Sequence, residues 1–185
     1  MLRLAAAVLA MGVALPGFAQ APAPAPAPQL AVPAPTPART QAAAFALTQG
    51  LIHAKIADRC KRLPEPIRSQ AAAALDGWQG RNRRLVDASF VWFSSIAAAA
   101  SNAVAGNAAK GRAKQALGEQ FQSFDNDAAR VAASAVPGEP PQAAACERVL
   151  AQFADTSLDL KHSPYAPSLR EIRDYARQLG KASQP

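Results

Sequence analysis

The fold is decided by residues 67 to 96, which read IRSQAAAALDGWQGRNRRLVDASFVWFSSI. Mostly apolar side chains recur there every three or four positions, a spacing that lines one face of an α-helix. Gly77 and Gly80 allow a division into two helices, but the sustained pattern favours one bent helix. The residues of the predicted inner face are Ile67, Ala71, Leu75, Trp78, Asn82, Leu85, Ser89, Phe93 and Ile96.

Helical spacing continues on both sides of this segment, from Thr40 to Gly180, and no stretch alternates with the period of a strand. Upstream, one helix ends at Pro64 and Pro66, because proline suits the first turn of a helix but not its interior. The residues of its inner face are Phe45, Ile52, Ile56, Cys60 and Leu63.

Three further helices are predicted downstream. One covers about residues 108 to 135, and Pro141 opens the next after a loop. The last helix has a capping box, Ser168 to Glu171, as its start signal and Gly180 as its end. The chain is therefore predicted to be all-α, with a small antiparallel bundle of four to five helices over residues 40 to 182.

The chain has two cysteines, Cys60 and Cys146, and both fall on predicted inner faces. An even number of cysteines in an exported protein indicates a disulfide. Two buried free thiols are the alternative. A disulfide that closes a loop of this length contributes about 4 kcal/mol on the chain-entropy model.

The first nineteen residues have the features of a secretory signal peptide. Arg3 precedes an apolar stretch from Leu4 to Leu15, which is too short to span a bilayer, and small residues up to Ala19 suit signal peptidase. We expect cleavage after Ala19 and a location in the periplasm or the medium. Residues 20 to 39 are predicted to be a disordered, alanine- and proline-rich arm with extended polyproline II character.

The formal net charge of +7 at pH 7 indicates a moderately basic protein. In an exported protein this charge favours an anionic envelope component or another envelope protein as the partner, and nucleic acid is not expected in that compartment. The alternative is that the charge serves solubility alone. The sequence indicates no cofactor and no metal.

Residues 88 to 109 contain no charged side chain, as a membrane span would. Their serines, asparagines and many alanines make insertion unfavourable, so we predict the central helix of a bundle and no stable membrane insertion. A membrane-associated component that uses residues 88 to 109 is the alternative. The apolar run from Phe90 to Phe93 is either wrapped by the bundle or, through Phe90 and Trp92, exposed as a partner surface.

The most suggestive cluster of side chains is Trp78, Arg81, Asn82 and Arg84. Trp78 and Asn82 lie four residues apart on one helix face, which the arginines border. An indole, an amide and guanidinium groups together suit an anionic or sugar-like ligand. In the alternative interpretation, Trp78 is a core anchor, Asn82 a satisfied buried amide and the arginines a solvated edge.

The sequence contains no recognisable catalytic motif. His53 and His162 lie far apart along the chain, and Asp155 and Asp159 are predicted to lie at a solvated helix end. The predicted function is a non-enzymatic binding or interaction module. The alternative is an enzyme acting on cell-envelope polymers through carboxylates that the fold gathers, and the candidates are Glu65, Asp76, Glu119, Glu147 and Asp155.

Overall fold

The computed structural model describes residues 32–103 and 106–182, which form five α-helices and no strand. This confirms the predicted all-α class. Two short 3-10 turns, Thr156–Leu158 and Leu160–His162, connect the last two helices. The predicted signal peptide and residues 20 to 31 of the predicted arm lie outside the described residues. The helices are α1 (Pro37–Cys60), α2 (Ile67–Ala103), α3 (Asn107–Ala135), α4 (Ala143–Phe153) and α5 (Ala166–Ala182).

Helix α1 begins at Pro37, before the predicted boundary at residue 40. Thr36 caps the helix, because its hydroxyl oxygen accepts a hydrogen bond from the backbone N–H of Arg39 at 3.3 Å. Pro37 occupies the first helical position, where a backbone N–H would have no helical partner. The last proline of the alanine- and proline-rich segment therefore starts the helix and does not extend the arm.

Helix α2 is continuous from Ile67 to Ala103, in agreement with the predicted single helix. The uncharged stretch of residues 88 to 109 is not one helix, however, because α3 begins at Asn107. Gly106 precedes α3 with a φ of +91°, a conformation that glycine adopts readily and an α-helix excludes. None of the helices in the described part of the chain combines the length and the hydropathy of a membrane span.

The predicted capping box of α5 does not form. The helix begins at Ala166, so Ser168 lies inside its first turn. Pro167 tolerates this earlier start, because the first turn of a helix leaves its N–H groups without helical partners anyway. Glu171 pairs with Arg39 of α1 at 2.9 Å.

Two other helix ends also differ from those predicted. Helix α4 begins at Ala143 and not at Pro141, because Gln142 still has an extended backbone with a ψ of 124°. Helix α5 continues past Gly180, which keeps a helical backbone and does not terminate the helix. Glycine permits a helix end but does not impose one.

Two hydrophobic clusters fill the bundle. One contains the fully buried Trp92 and joins α1, α2, α3 and α5, and the other joins α1 through α4 around Cys60 and Cys146. These cysteines form the predicted disulfide, with Cα atoms 5.7 Å apart. The disulfide fixes the end of α1 to α4.

Candidate functional site

A buried hydrogen-bond network centred on Asn82 and Asp159 joins α2 to the two 3-10 turns. The Asn82 amide nitrogen donates to a carboxylate oxygen of Asp159 and to the carbonyl oxygen of Trp78, both at 3.0 Å. Its amide oxygen accepts a hydrogen bond from the backbone N–H of Leu160 at 2.8 Å. Asn82 therefore has partners for both of its polar groups and holds the connection between α4 and α5 against α2.

Arg81 completes this network from its solvent side. Its Nε donates to both carboxylate oxygens of Asp159 at 2.9 and 3.2 Å, and its terminal nitrogens donate to the carbonyl oxygens of Gly77 and Phe153. Burial acts to raise the pKa of Asp159, but the hydrogen bonds from Asn82 and Arg81 and the charge of Arg81 outweigh it, so this pKa lies below its ordinary value. The buried carboxylate is therefore held in its ionised form.

The structure brings together three of the four predicted ligand-binding residues, Trp78, Arg81 and Asn82. The hydrogen bonds of Arg81 and Asn82 go to protein atoms, as in the alternative interpretation of a satisfied amide. Arg84 lies apart from this group, because it is exposed and makes no ion pair or hydrogen bond within the described residues. The network thus fixes the 3-10 turns and α4 to α2, and Arg84 takes no part in it.

Asp159 does not lie at the solvated helix end that was predicted for it. Its side chain is fully buried, whereas Asp155 is exposed. Asp155 caps the first 3-10 turn by accepting a hydrogen bond from the backbone N–H of Ser157 at 2.9 Å. The two carboxylates differ because this segment forms 3-10 turns and not the α-helix that the prediction assumed.

Trp78 and His53 form a stacked pair inside the bundle. Their ring centroids are 4.1 Å apart with an interplanar angle of 14°, and Phe153 packs against the imidazole at 4.4 Å. Trp78 is buried, and within the described residues its indole nitrogen has no hydrogen-bond partner. Trp78 lines one cavity and His53 lines another, so the stacked pair forms part of the wall between them.

The larger cavity is an open groove of about 770 Å³ between α1, α2 and α3, which we call the α1–α3 groove. Gly118 of α3 lies on its wall, and a Cβ atom added there would meet no heavy atom within 4 Å. Space for a ligand therefore begins directly at the α3 backbone. The apolar side chains of the groove are Leu47, Leu51, Trp78, Val86, Phe90 and Phe121.

Acidic and basic side chains line the rim of the α1–α3 groove, and Gln79 and Gln122 add neutral amides. Arg83 and Asp87 form an exposed pair at 3.3 Å, and Asp125 pairs with Lys55 at 2.8 Å. Exposed ion pairs contribute only about 0 to 1 kcal/mol, so an incoming polar group can displace the pair of Arg83 and Asp87. The rim can therefore form hydrogen bonds with both the donors and the acceptors of a ligand.

Of the two residues predicted as a partner surface, Phe90 reaches solvent and Trp92 does not. Phe90 is 52% exposed and stacks on Phe121 of α3, with the ring centroids 5.3 Å apart. Trp92 is fully buried beside Phe93. The bundle wraps most of this apolar segment because α2 packs against several helices at once, and Phe90 remains at the edge of the α1–α3 groove.

The smaller cavity, of about 520 Å³, brings together His53 and His162, which are far apart in sequence. Asp159, Ser157 and Ser163 line the same space. The sequence does not predict that these two histidines line one cavity, because His162 lies in a 3-10 turn without helical periodicity. Within residues 32–103 and 106–182, no group of three histidine, cysteine or acidic side chains could hold a metal ion.

The carboxylates that were candidates for an enzyme do not converge on either cavity. All of them are exposed, and none lines the α1–α3 groove or the smaller cavity. Hydrogen bonds from Ser69 lower the pKa of one of them, Glu65. This geometry gives the enzyme alternative no support. The five residues are Glu65, Asp76, Glu119, Glu147 and Asp155.

Because His53 is partly buried, we expect the free energy of unfolding to depend on pH. Burial lowers the pKa of His53 below its ordinary 6.5; the hydrogen bond with the Gln49 carbonyl opposes this shift, and the charge of Arg81 adds to it. With a lowered pKa, the stability that His53 contributes is complete above the unfolded pKa and is lost as the pH falls through the folded pKa.

We expect the variant His53→Phe, which keeps a ring against Trp78, to lose less stability than the wild type between about pH 7 and pH 5. Urea unfolding followed by circular dichroism at several pH values measures this difference. Equal pH slopes for the two proteins would contradict the assignment.

No family model, curated protein or solved structure matches this chain.

Proposed function

We propose that this protein is an exported, non-enzymatic binding protein that works in the periplasm or the medium and holds an apolar segment of a protein partner in the α1–α3 groove. The observation that carries the proposal is the groove itself, at about 770 Å³ with Phe90 half exposed at its edge. Binding cavities in proteins commonly measure about 300 to 1,000 Å³ and have mostly apolar walls.

The exposure of Phe90 supports a binding role for the groove. Burying a phenylalanine side chain fully stabilises by about 1.5 to 3 kcal/mol, so the exposed half leaves roughly 1 kcal/mol for a partner to gain. Phe90 also stacks on Phe121, which fixes its ring in place before any partner arrives. A partner that covers Phe90 would place this aromatic side chain in a desolvated contact, the environment in which aromatic side chains contribute most to binding energy.

The rim of the groove favours a polypeptide over a uniformly charged ligand. Arg83 and Asp87 carry opposite charges, and Gln79 and Gln122 supply amides that both donate and accept hydrogen bonds. A peptide presents N–H and C=O groups beside its apolar side chains and matches such a mixed rim. An amphipathic segment with two or three apolar anchors fits these dimensions.

The variant Gly118→Leu tests the proposal by filling the groove without disturbing the core. Because nothing lies within 4 Å of an added Cβ at Gly118, the leucine side chain extends into the groove. Replacing glycine by leucine inside a helix also raises helix stability by up to about 1 kcal/mol. The matched control is Gly111→Leu on the same helix, where an added Cβ again meets nothing within 4 Å and which does not line the groove.

We expect a displayed library of random peptides to yield amphipathic sequences that bind the wild type and Gly111→Leu but bind Gly118→Leu at least roughly 10-fold more weakly. The affinities of the selected peptides are measured by fluorescence anisotropy. Selected peptides that bind Gly118→Leu as tightly as the wild type would place binding outside the groove and contradict the proposal.

A further inference from the structure

The sequence has no aspartate or glutamate between Asp87 and Glu119, and the cations of that stretch are Lys110, Arg112 and Lys114. These three side chains are exposed and lie within five consecutive residues near the start of α3, with Lys110 and Lys114 on one side of the helix and Arg112 on the other. We call residues 97–103 of α2 and 106–114 of α3 the finger. The finger is therefore purely cationic, in contrast to the mixed charges elsewhere on the molecule.

The finger projects from one end of the bundle. Helix α2 has 37 residues and α1 has 24, and the two are joined by a short connection at the opposite end. At a rise of 1.5 Å per residue, α2 is longer by about 20 Å. Pro35 and Thr40 line one cavity with Ala97, Ala100 and Ala113, so the start of α1 lies against the base of the finger. The finger beyond that point is mostly exposed.

Among the described residues, the cations of the finger make no ion pair, and no acidic residue lies near them in the sequence, whereas many basic side chains elsewhere have acidic partners. Lys110, Arg112 and Lys114 make no ion pair within the described part of the chain. By contrast, both Arg59 and Arg62 pair with an acidic side chain. Along the α3 axis, Lys110 and Arg112 lie about 10 Å or more from Glu119, which exceeds the Debye length of about 8 Å at physiological salt, whereas Lys114 lies just within that length. Glu119 therefore does not cancel the positive potential around Lys110 and Arg112.

We propose that the finger docks on the surface of a lipid bilayer that carries anionic phospholipid, with Lys110, Arg112 and Lys114 contacting the headgroup phosphates. Charge complementarity carries this inference, because a projecting element without acidic residues can approach an anionic surface ahead of the acidic groups of the bundle. The small side chains around the cations let the finger lie on the headgroups. The contact is peripheral, since alanine contributes little to insertion.

Vesicle cosedimentation of the oxidised protein tests this inference. Vesicles of equal parts phosphatidylglycerol and phosphatidylcholine should bind it, and phosphatidylcholine alone should not. Each lysine or arginine near an anionic surface contributes about 1 kcal/mol, so the triple variant Lys110→Gln/Arg112→Gln/Lys114→Gln should partition roughly 100-fold more weakly. Raising the salt concentration should weaken binding of the wild type.

The matched control is Arg84→Gln/Arg148→Gln/Lys181→Gln, which removes the same charge from exposed positions outside the finger. We expect this control to lose only a few-fold in binding. Equal losses for both triple variants, or no preference for phosphatidylglycerol in the wild type, would overturn the inference. Retention on heparin without vesicle binding would also overturn it in favour of a polymeric partner. Gly118→Leu should bind vesicles as the wild type does. The vesicle experiment therefore tests the finger separately from the proposed role of the α1–α3 groove.

Discussion

Replacing Asp159 with alanine should lower the free energy of unfolding by about 3 kcal/mol. Removing one partner of a buried ion pair costs about 3 to 5 kcal/mol, because the other charge stays in the interior without a counterion. The lower end applies here, since the Arg81 side chain is 29% exposed and water can solvate part of it. Asn82 would also lose the acceptor for one of its N–H groups. Urea unfolding monitored by far-UV circular dichroism measures the change.

The control for this variant is Asp155→Ala, which removes an exposed carboxylate four positions earlier and should cost about 1 kcal/mol or less. Acid unfolding provides a second test. Because the pKa of Asp159 is lowered in the fold, its contribution is present above the unfolded pKa of about 3.9 and is lost as the pH falls through the folded value. Asp159→Ala should therefore lose less stability than the wild type over that acidic range. A cost below about 1 kcal/mol at pH 7 would show that the network does not hold the turns.

Removing the disulfide should have an effect of similar size. Cys60 and Cys146 are 86 residues apart in sequence, and a loop of that length constrains the unfolded chain by about 4 kcal/mol on the chain-entropy model. The double variant Cys60→Ala/Cys146→Ala should therefore unfold at a markedly lower urea concentration. Because both positions are fully buried, the smaller side chains also leave some unfilled volume.

Chemical reduction of the wild type separates these two contributions, because it breaks the cross-link and leaves the sulfur atoms in place. Urea titrations of the oxidised and reduced wild type and of the double variant give the comparison. A difference below about 1 kcal/mol between oxidised and reduced wild type would mean that the unfolded chain is already compact without the cross-link.

The helices could be predicted from the sequence because apolar residues recur along them every three or four positions, although the apolar and polar sides of α1 are only weakly separated. The same periodicity placed Cys60 and Cys146 on inner faces and so predicted their pairing. Helix ends were less predictable, since they depend on local backbone geometry that several residue types can adopt. Gly106 and Gly180 illustrate this: the first adopts a φ of +91° before α3, and the second remains helical.

The candidate site was only partly predictable. The four-residue spacing of Trp78 and Asn82 correctly indicated a shared face. The carboxylate partner of Asn82, however, is Asp159, which lies 77 residues later in a segment without periodicity. The α1–α3 groove has no sequence signature of its own, because three helices build it together. Phe90 was identified as apolar, yet whether it or Trp92 faced solvent depended on how the neighbouring helices pack.

The link between Cys60 and Cys146 closes a covalent ring that includes all of α2, α3 and the finger. A protease that cuts the chain once anywhere inside this ring, for example at Gly106, cannot separate the molecule into two parts. The exposed end of the finger can therefore be nicked while α1 and α4 stay joined. Release of a fragment needs either a second cut inside the ring or reduction of the two sulfur atoms.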